Sequence, residues 1–151
     1  MIPLHEAQAY VLAGCSPLDT TTTTATNALG LVTGEPINCN EFVPPFNNTA
    51  VDGYAVMAAD TAAAPVNLQV VGAIAAGEAP STPITPGTAI RIMTGAPLPE
   101  GADAIVMVEE TTTNDDATVV TIHTGVEAGA AVRRAGEDMQ PGQQVFDNGT
   151  L

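Results

Sequence analysis

The sequence predicts a mainly β fold with a small α/β arm, centred on a small β-barrel-like domain. Three observations carry that reading. Twelve Pro and fourteen Gly in 151 residues interrupt the chain at short intervals, which suits many turns and few long helices. Between the interruptions lie short apolar runs of strand length. Helical spacing of apolar residues shows only near the start.

The elements follow in order. Leu4, Ala7, Val11 and Leu12 fall near i, i+3, i+4 spacing and predict a helix over residues 4–13, ended by Gly14. Residues 17–24, with a run of Thr from Thr20, read as a solvated, extended connector, because Thr is a poor helix former. Residues 25–32 read as a short second helix stopped by Gly34. Strand candidates are 53–57, 66–74, 88–93, 104–109, 118–124 and 144–146. Turn signals separate them at Gly77, 80–86, 97–101 and Asn114-Asp115-Asp116. Such a series predicts an antiparallel barrel or sandwich. Residues 1–40 are expected to form the helical or mixed arm and 41–138 the small β domain. Residues 139–151 are expected to start a returning segment, because Leu151 falls within a pattern that has no closing signal.

Composition narrows the partners. There is no Trp, aromatics make up 3%, and much of the apolar content is Ala and Val. A core of small aliphatics buries less area per residue. A net charge of −14 argues against nucleic-acid backbones and anionic membrane surfaces. No apolar run approaches the ~18 residues of a membrane span, and the first six residues lack the basic start of a signal peptide. Cys15 and Cys39 have no metal-site spacing and read as free thiols of a reducing, cytoplasmic compartment. No Walker-type phosphate loop, Ser-His-Asp pattern or Cys/His cluster appears, and His5 and His123 have no partner pattern.

All three cations, against seventeen acidic residues, sit in two short segments. Arg91 opens Arg91-Ile92-Met93-Thr94-Gly95-Ala96-Pro97, and Arg133-Arg134 precede Gly136-Glu137-Asp138. Such placement suits holding an anion or an essential carboxylate. A third block, Pro44-Pro45-Phe46-Asn47-Asn48-Thr49-Ala50-Val51-Asp52-Gly53-Tyr54-Ala55-Val56, reads as a stiffened loop entering a strand, with Asp52-Gly53 as a turn signal. Each candidate also has a plain structural reading. Asp52 then forms a turn, Thr94 ends a strand through a bond to backbone, and Glu137 or Asp138 pairs with a neighbouring Arg. Arg91 is expected to pair with a carboxylate at the sheet surface, Glu78 to be a solvated loop residue, and Tyr54 to belong to the barrel core or rim.

The block from Pro44 resembles the P-x-F-D-N-S-A-M-D-G-Y-A-V signature of the molybdopterin molybdenumtransferases, the MoeA/gephyrin family. Residues 91–106 resemble its R-I-M-T-G-A-P-x-P-x-G-A-D-A-V-V, and residues 133–138 its R-x-x-G-E-D. The resemblance covers roughly residues 3 to 151 and is weakest across the Thr run. It departs at Asn47 for the family's Asp, Thr49 for Ser and Val51 for Met. The resemblance implies an N-terminal portion, without the pterin-binding and C-terminal domains, and so a fragment or a truncated product.

The resemblance also implies a function. The family joins molybdate to adenylylated molybdopterin with a divalent metal, usually Mg²⁺, to form the molybdenum cofactor. Hard oxygen ligands suit such a cation, and hydroxyls, backbone N–H groups and Arg suit a tetrahedral oxyanion. On that basis Asp52, Thr94 and Asp138 are the expected catalytic residues. Arg133, Arg134, Gly95 and Glu137 are the expected cofactor-binding residues, and Asp52 is the candidate metal ligand. The resemblance further implies a homodimer whose site is completed by another domain or subunit, leaving this chain inactive alone. The alternative is a non-catalytic interaction or dimerisation module of the same fold.

Overall fold

In the computed structural model, which describes residues 2–16 and 18–151, the chain divides into two units. One is Met1–Asn38 with Gln144–Leu151; the other is Cys39–Gln143. Strands in chain order are β1 (Ile37–Asn38), β2 (Asn48–Thr49), β3 (Gly53–Val56), β4 (Val66–Ile74), β5 (Thr88–Ile92), β6 (Ala104–Met107), β7 (Thr111–Thr113), β8 (Val119–Ile122), β9 (Val132–Arg133) and β10 (Gln144–Phe146). The helices are α1 (Leu4–Leu12) and the one-turn α2 (Ala58–Thr61). The protein is thus mainly β, as its turn-rich sequence predicts.

In the first unit α1 forms where apolar spacing places it and buries none of its residues. Residues 18–24 are exposed and lack regular structure, as expected of the Thr-rich connector; Pro17 lies outside the described residues. The second helix expected over 25–32 does not form. The chain makes one 3₁₀ turn, Ala25–Asn27, and then Gly30 adopts φ +80°, a left-handed conformation that ends helical propagation. β1 pairs antiparallel with β10. Thr33 receives the returning chain, its N–H donating to the Thr150 carbonyl at 2.9 Å.

The second unit holds a curled six-stranded sheet of order β6-β3-β5-β4-β8-β7. Most neighbours are antiparallel, but β4 and β5 run parallel. An all-antiparallel barrel or sandwich is therefore corrected to a mixed half-barrel. The reason is the long connection from Ile74 to Thr88, which lets the chain cross over where a tight hairpin cannot. Alternate side chains go to opposite faces. Tyr54, Val56, Ala89, Ala104 and Val106 join one cluster with Leu68, Val120 and Ile122. Ala55, Ile90, Ile92 and Ile105 join a second with Ile74, Ile84 and Ala96. Burial on both faces explains why β3, β5 and β6 read as nearly continuous apolar runs.

Residues 139–143, expected in the returning segment, belong to the second unit. Val43 and Met139 form a β-bridge, and the Gly142 N–H donates to the Cys39 carbonyl at 2.8 Å. Among the described residues no helix is long and apolar enough to cross a membrane.

Candidate functional site

The site is built around β2. On one side Asn48 and Thr49 pair with Arg133 and Val132 of β9. On the other Asn48 bridges Pro97, the Thr49 N–H donates to the Ala96 carbonyl (3.2 Å), and the Gly95 N–H donates to the Thr49 carbonyl (2.9 Å). Adjacent strands lie about 4.8 Å apart, so the two flanking backbones are about 10 Å apart. This two-residue strand brings the Thr94-Gly95 loop and the Arg133 turn to one place. Gly95 makes the turn at φ +80°, a conformation glycine adopts without Cβ strain.

On the Thr94 side, both the N–H and the hydroxyl of Thr94 donate to Oδ1 of Asp52, at 2.8 and 2.9 Å. Asp52 is exposed, and its carboxyl is held below the usual carboxylate value. The cause is first the Thr94 N–H, then the Thr94 hydroxyl, with a smaller attraction from Arg91. The loop before Asp52 is fixed by Thr49, whose hydroxyl donates to the Val51 carbonyl at 2.6 Å and accepts the Val51 N–H at 3.1 Å.

Among the described residues Arg91 makes no ion pair with the carboxylate expected for it. Its Nη1 donates to the Gly53 carbonyl at 2.9 Å, and its guanidinium lies 5.4 Å from the centre of the Tyr54 ring. The β3–β5 pairing places Tyr54 opposite Arg91, so the ring and the neighbouring carbonyl reach the cation before any acid does. Tyr54 itself is buried, as expected of a barrel residue. Thr94, a candidate for a backbone cap, bonds the Asp52 side chain instead.

On the β9 side, Arg133 Nη2 lies 2.5 Å from Asp138 Oδ2, and Arg133 Nε lies 3.6 Å from Glu137 Oε1. Asp138 and then Glu137 hold the Arg133 guanidinium more firmly protonated. The Arg134 N–H donates to Glu137 Oε2 at 2.8 Å. The structure thus joins Asp52 to Thr94, and Arg133 to Glu137 and Asp138. It gives the Arg134 guanidinium no ion pair among the described residues. Glu78 accepts the Ala75 N–H within its own turn.

Asn47, where the block departs from the family's Asp, also contributes to the site. Its Oδ1 accepts the Ala135 N–H at 2.9 Å, tying the Pro44 loop to the arginine turn. An Asp oxygen would accept the same bond, so the position keeps its structural work. Asn48, almost fully buried on β2, donates its side-chain amide to the Phe46 carbonyl at 3.4 Å.

Among the described residues no three His, Cys, Asp or Glu side chains gather to hold a metal. Asp52 nevertheless fits Mg²⁺ chemistry, because that ion is commonly held by one or two carboxylates together with waters and substrate phosphates. Its Oδ1 is engaged by Thr94, and no described donor bonds its Oδ2. A concavity of about 630 Å³ lies in the first unit and is lined by Thr21, Leu31, Val32, Ile37 and Phe146 among others. It contains none of the candidate residues.

Comparison with known proteins agrees with these blocks. Residues 2–151 match the family described as MoeA N-terminal region (domain I and II). The molybdopterin molybdenumtransferase 2 of Mycobacterium tuberculosis is 43% identical over 147 residues, covering 95% of this chain and 35% of that protein. The molybdopterin molybdenumtransferase of Bacillus subtilis is 34% identical over 99% of this chain and 36% of its own length. The crystal structure of the molybdopterin biosynthesis moeA protein from Pyrococcus horikoshii superposes with a TM-score of 0.90 at 31% identity, covering 98% of this chain and 40% of that one. The chain therefore spans between a third and two fifths of the length of these relatives. Within that span, the chain belongs to the MoeA N-terminal region family.

Proposed function

We propose that this chain acts in molybdenum cofactor biosynthesis, as the N-terminal part of an enzyme that inserts molybdate into adenylylated molybdopterin. The observation that supports it best is the convergence on β2 of the Asp52–Thr94 pair and the Arg133–Glu137–Asp138 cluster. Asp52 and Thr94 offer a fixed carboxylate and a hydroxyl. The arginine turn offers positive charge for an anionic substrate. Gly95 lets the loop turn close to it. Mg²⁺, held by Asp52 and substrate oxygens, would neutralise charge on the phosphate of the adenylate. Thr94 orients the Asp52 carboxylate, and Asp138 orients Arg133.

Both clusters are open to solvent. This supports a site completed by another domain or by the partner of a homodimer, so the chain alone is expected to be inactive. A reducing cytoplasm suits its two unpaired cysteines.

A non-catalytic module of the same fold is the competing reading. It rests mainly on Asn47, whose oxygen still accepts the Ala135 N–H. The test is to graft residues 2–151 in place of the matching segment of the Mycobacterium tuberculosis enzyme. Molybdate-dependent cofactor synthesis by the graft is expected. A folded graft without synthesis would favour the module.

A further inference from the structure

The three cations of this acidic chain do not have equivalent surroundings. Arg91 is engaged by the Gly53 carbonyl and the Tyr54 ring. Arg133 is engaged by Asp138 and Glu137. The guanidinium of Arg134 makes no ion pair, hydrogen bond or ring contact with any described residue, in a chain with seventeen carboxylates. The acids beside it are already engaged. Glu137 offers Oε1 to Arg133 and Oε2 to the Arg134 backbone N–H, and Asp138 Oδ2 meets Arg133.

The mount beneath Arg134 is fixed. The Ala135 N–H donates to Asn47 Oδ1 (2.9 Å), the Gly136 N–H to the Pro44 carbonyl (2.9 Å) and the Asp138 N–H to the Val43 carbonyl (2.9 Å). Gly136 is buried at φ +72°, and a Cβ there would collide with the Phe42 ring. The Arg134 guanidinium rests over Gly129, where an added Cβ would lie 3.6 Å from its Nη2.

We propose that Arg134 is the anion-contacting residue of this site, taking a tetrahedral oxyanion of the phosphate type, and that Arg133 is a positioning residue whose ion pairs hold the turn presenting it. The assignment rests on the molybdate-insertion reading for the natural ligand, while anion capture is measurable without it. A planar guanidinium meets two oxygens of such an anion with parallel hydrogen bonds, and here no ion pair must first break. Repulsion from the chain's net charge is largely screened beyond about 8 Å at physiological ionic strength. A phosphate ester and free molybdate share this chemistry.

The test titrates the labelled 151-residue chain with AMP, inorganic phosphate and sodium molybdate at physiological ionic strength. The readouts are the Arg134 Nε–H and Ala135 amide resonances. Saturable shifts centred there are expected with at least one anion. Arg134→Gln should weaken binding ~10-fold or more with spectral dispersion retained, the loss of a charge-assisted pair, and Arg134→Lys should give a smaller loss. Arg133→Gln should shift the Arg134 Nε–H signal before any anion is added, as Glu137 is released towards it, and Arg133→Lys should restore binding. Preference for AMP or for molybdate supports the site and identifies the source of its anion. No saturable shift with any of the three, or binding unaffected by Arg134→Gln, would overturn the proposal. Capture by Arg134 in a graft that makes no cofactor would sink the insertion reading alone. Full synthesis by a graft carrying Arg134→Gln would sink this one alone.

Discussion

Thr94 donates its N–H and its hydroxyl to the same oxygen of Asp52, across forty-two residues of sequence. The contact turns a loop carboxylate into a fixed one, with its second oxygen left for another partner. It also depresses the Asp52 carboxyl, and from that follows a pH prediction. A carboxyl held below its ordinary value stabilises the fold above that value. The contribution is lost as pH falls through the depressed value. Thr94→Ala removes the hydroxyl but keeps the N–H, so the Asp52 midpoint should rise part of the way to an ordinary carboxylate. Carboxyl-carbon NMR checks this; an unchanged midpoint would show that the hydroxyl does not bond Asp52.

Gly53 should tolerate no side chain. A Cβ there would collide with the Val106 carbonyl oxygen, on the ladder that joins β3 to β6. Gly53→Ala should destabilise the chain by about 2–3 kcal/mol, as overpacking in a buried strand does. Urea denaturation measures it, and a loss under about 0.5 kcal/mol, the range of ordinary surface changes, would contradict the β3–β6 packing.

The cations should be functionally unequal. In the grafted enzyme Arg133→Ala should lower synthesis more than Arg91→Ala, because Arg133 borders the anion-facing turn while Arg91 serves Gly53 and Tyr54. Kinetics at saturating and limiting molybdate decide it. Equal losses would mean the roles are misassigned.

β4 and β10 were legible to the residue, because long alternation or flanking Gly marks them. β2 and β9 were not, being two residues each and too short to show a period. β7 is three Thr in a row, a composition that also suits a loop. Strand direction leaves no mark on periodicity, so the parallel β4–β5 pair could not be read. The chemistry-bearing residues stood out through the resemblance of their blocks to the MoeA/gephyrin signatures, with clustered charge a separate sign only at the arginines. Which of them touch could not be read, because β2 brings together segments far apart in sequence. Arg91 shows the limit most clearly, since an acid was the obvious partner and a carbonyl and a ring took its place.

The most direct measurement compares the grafted enzyme with its Asp52→Asn variant. The substitution keeps the Oδ1 acceptor for both Thr94 donors and replaces the charge and the open Oδ2 acceptor by an amide NH₂. The melting temperature should therefore move by no more than about 4 °C. Molybdate-dependent cofactor synthesis should fall ~10-fold or more, the effect of losing a group that acts on the reaction itself. Undiminished synthesis by a normally folded Asp52→Asn graft would contradict the account and leave Asp52 as a turn residue.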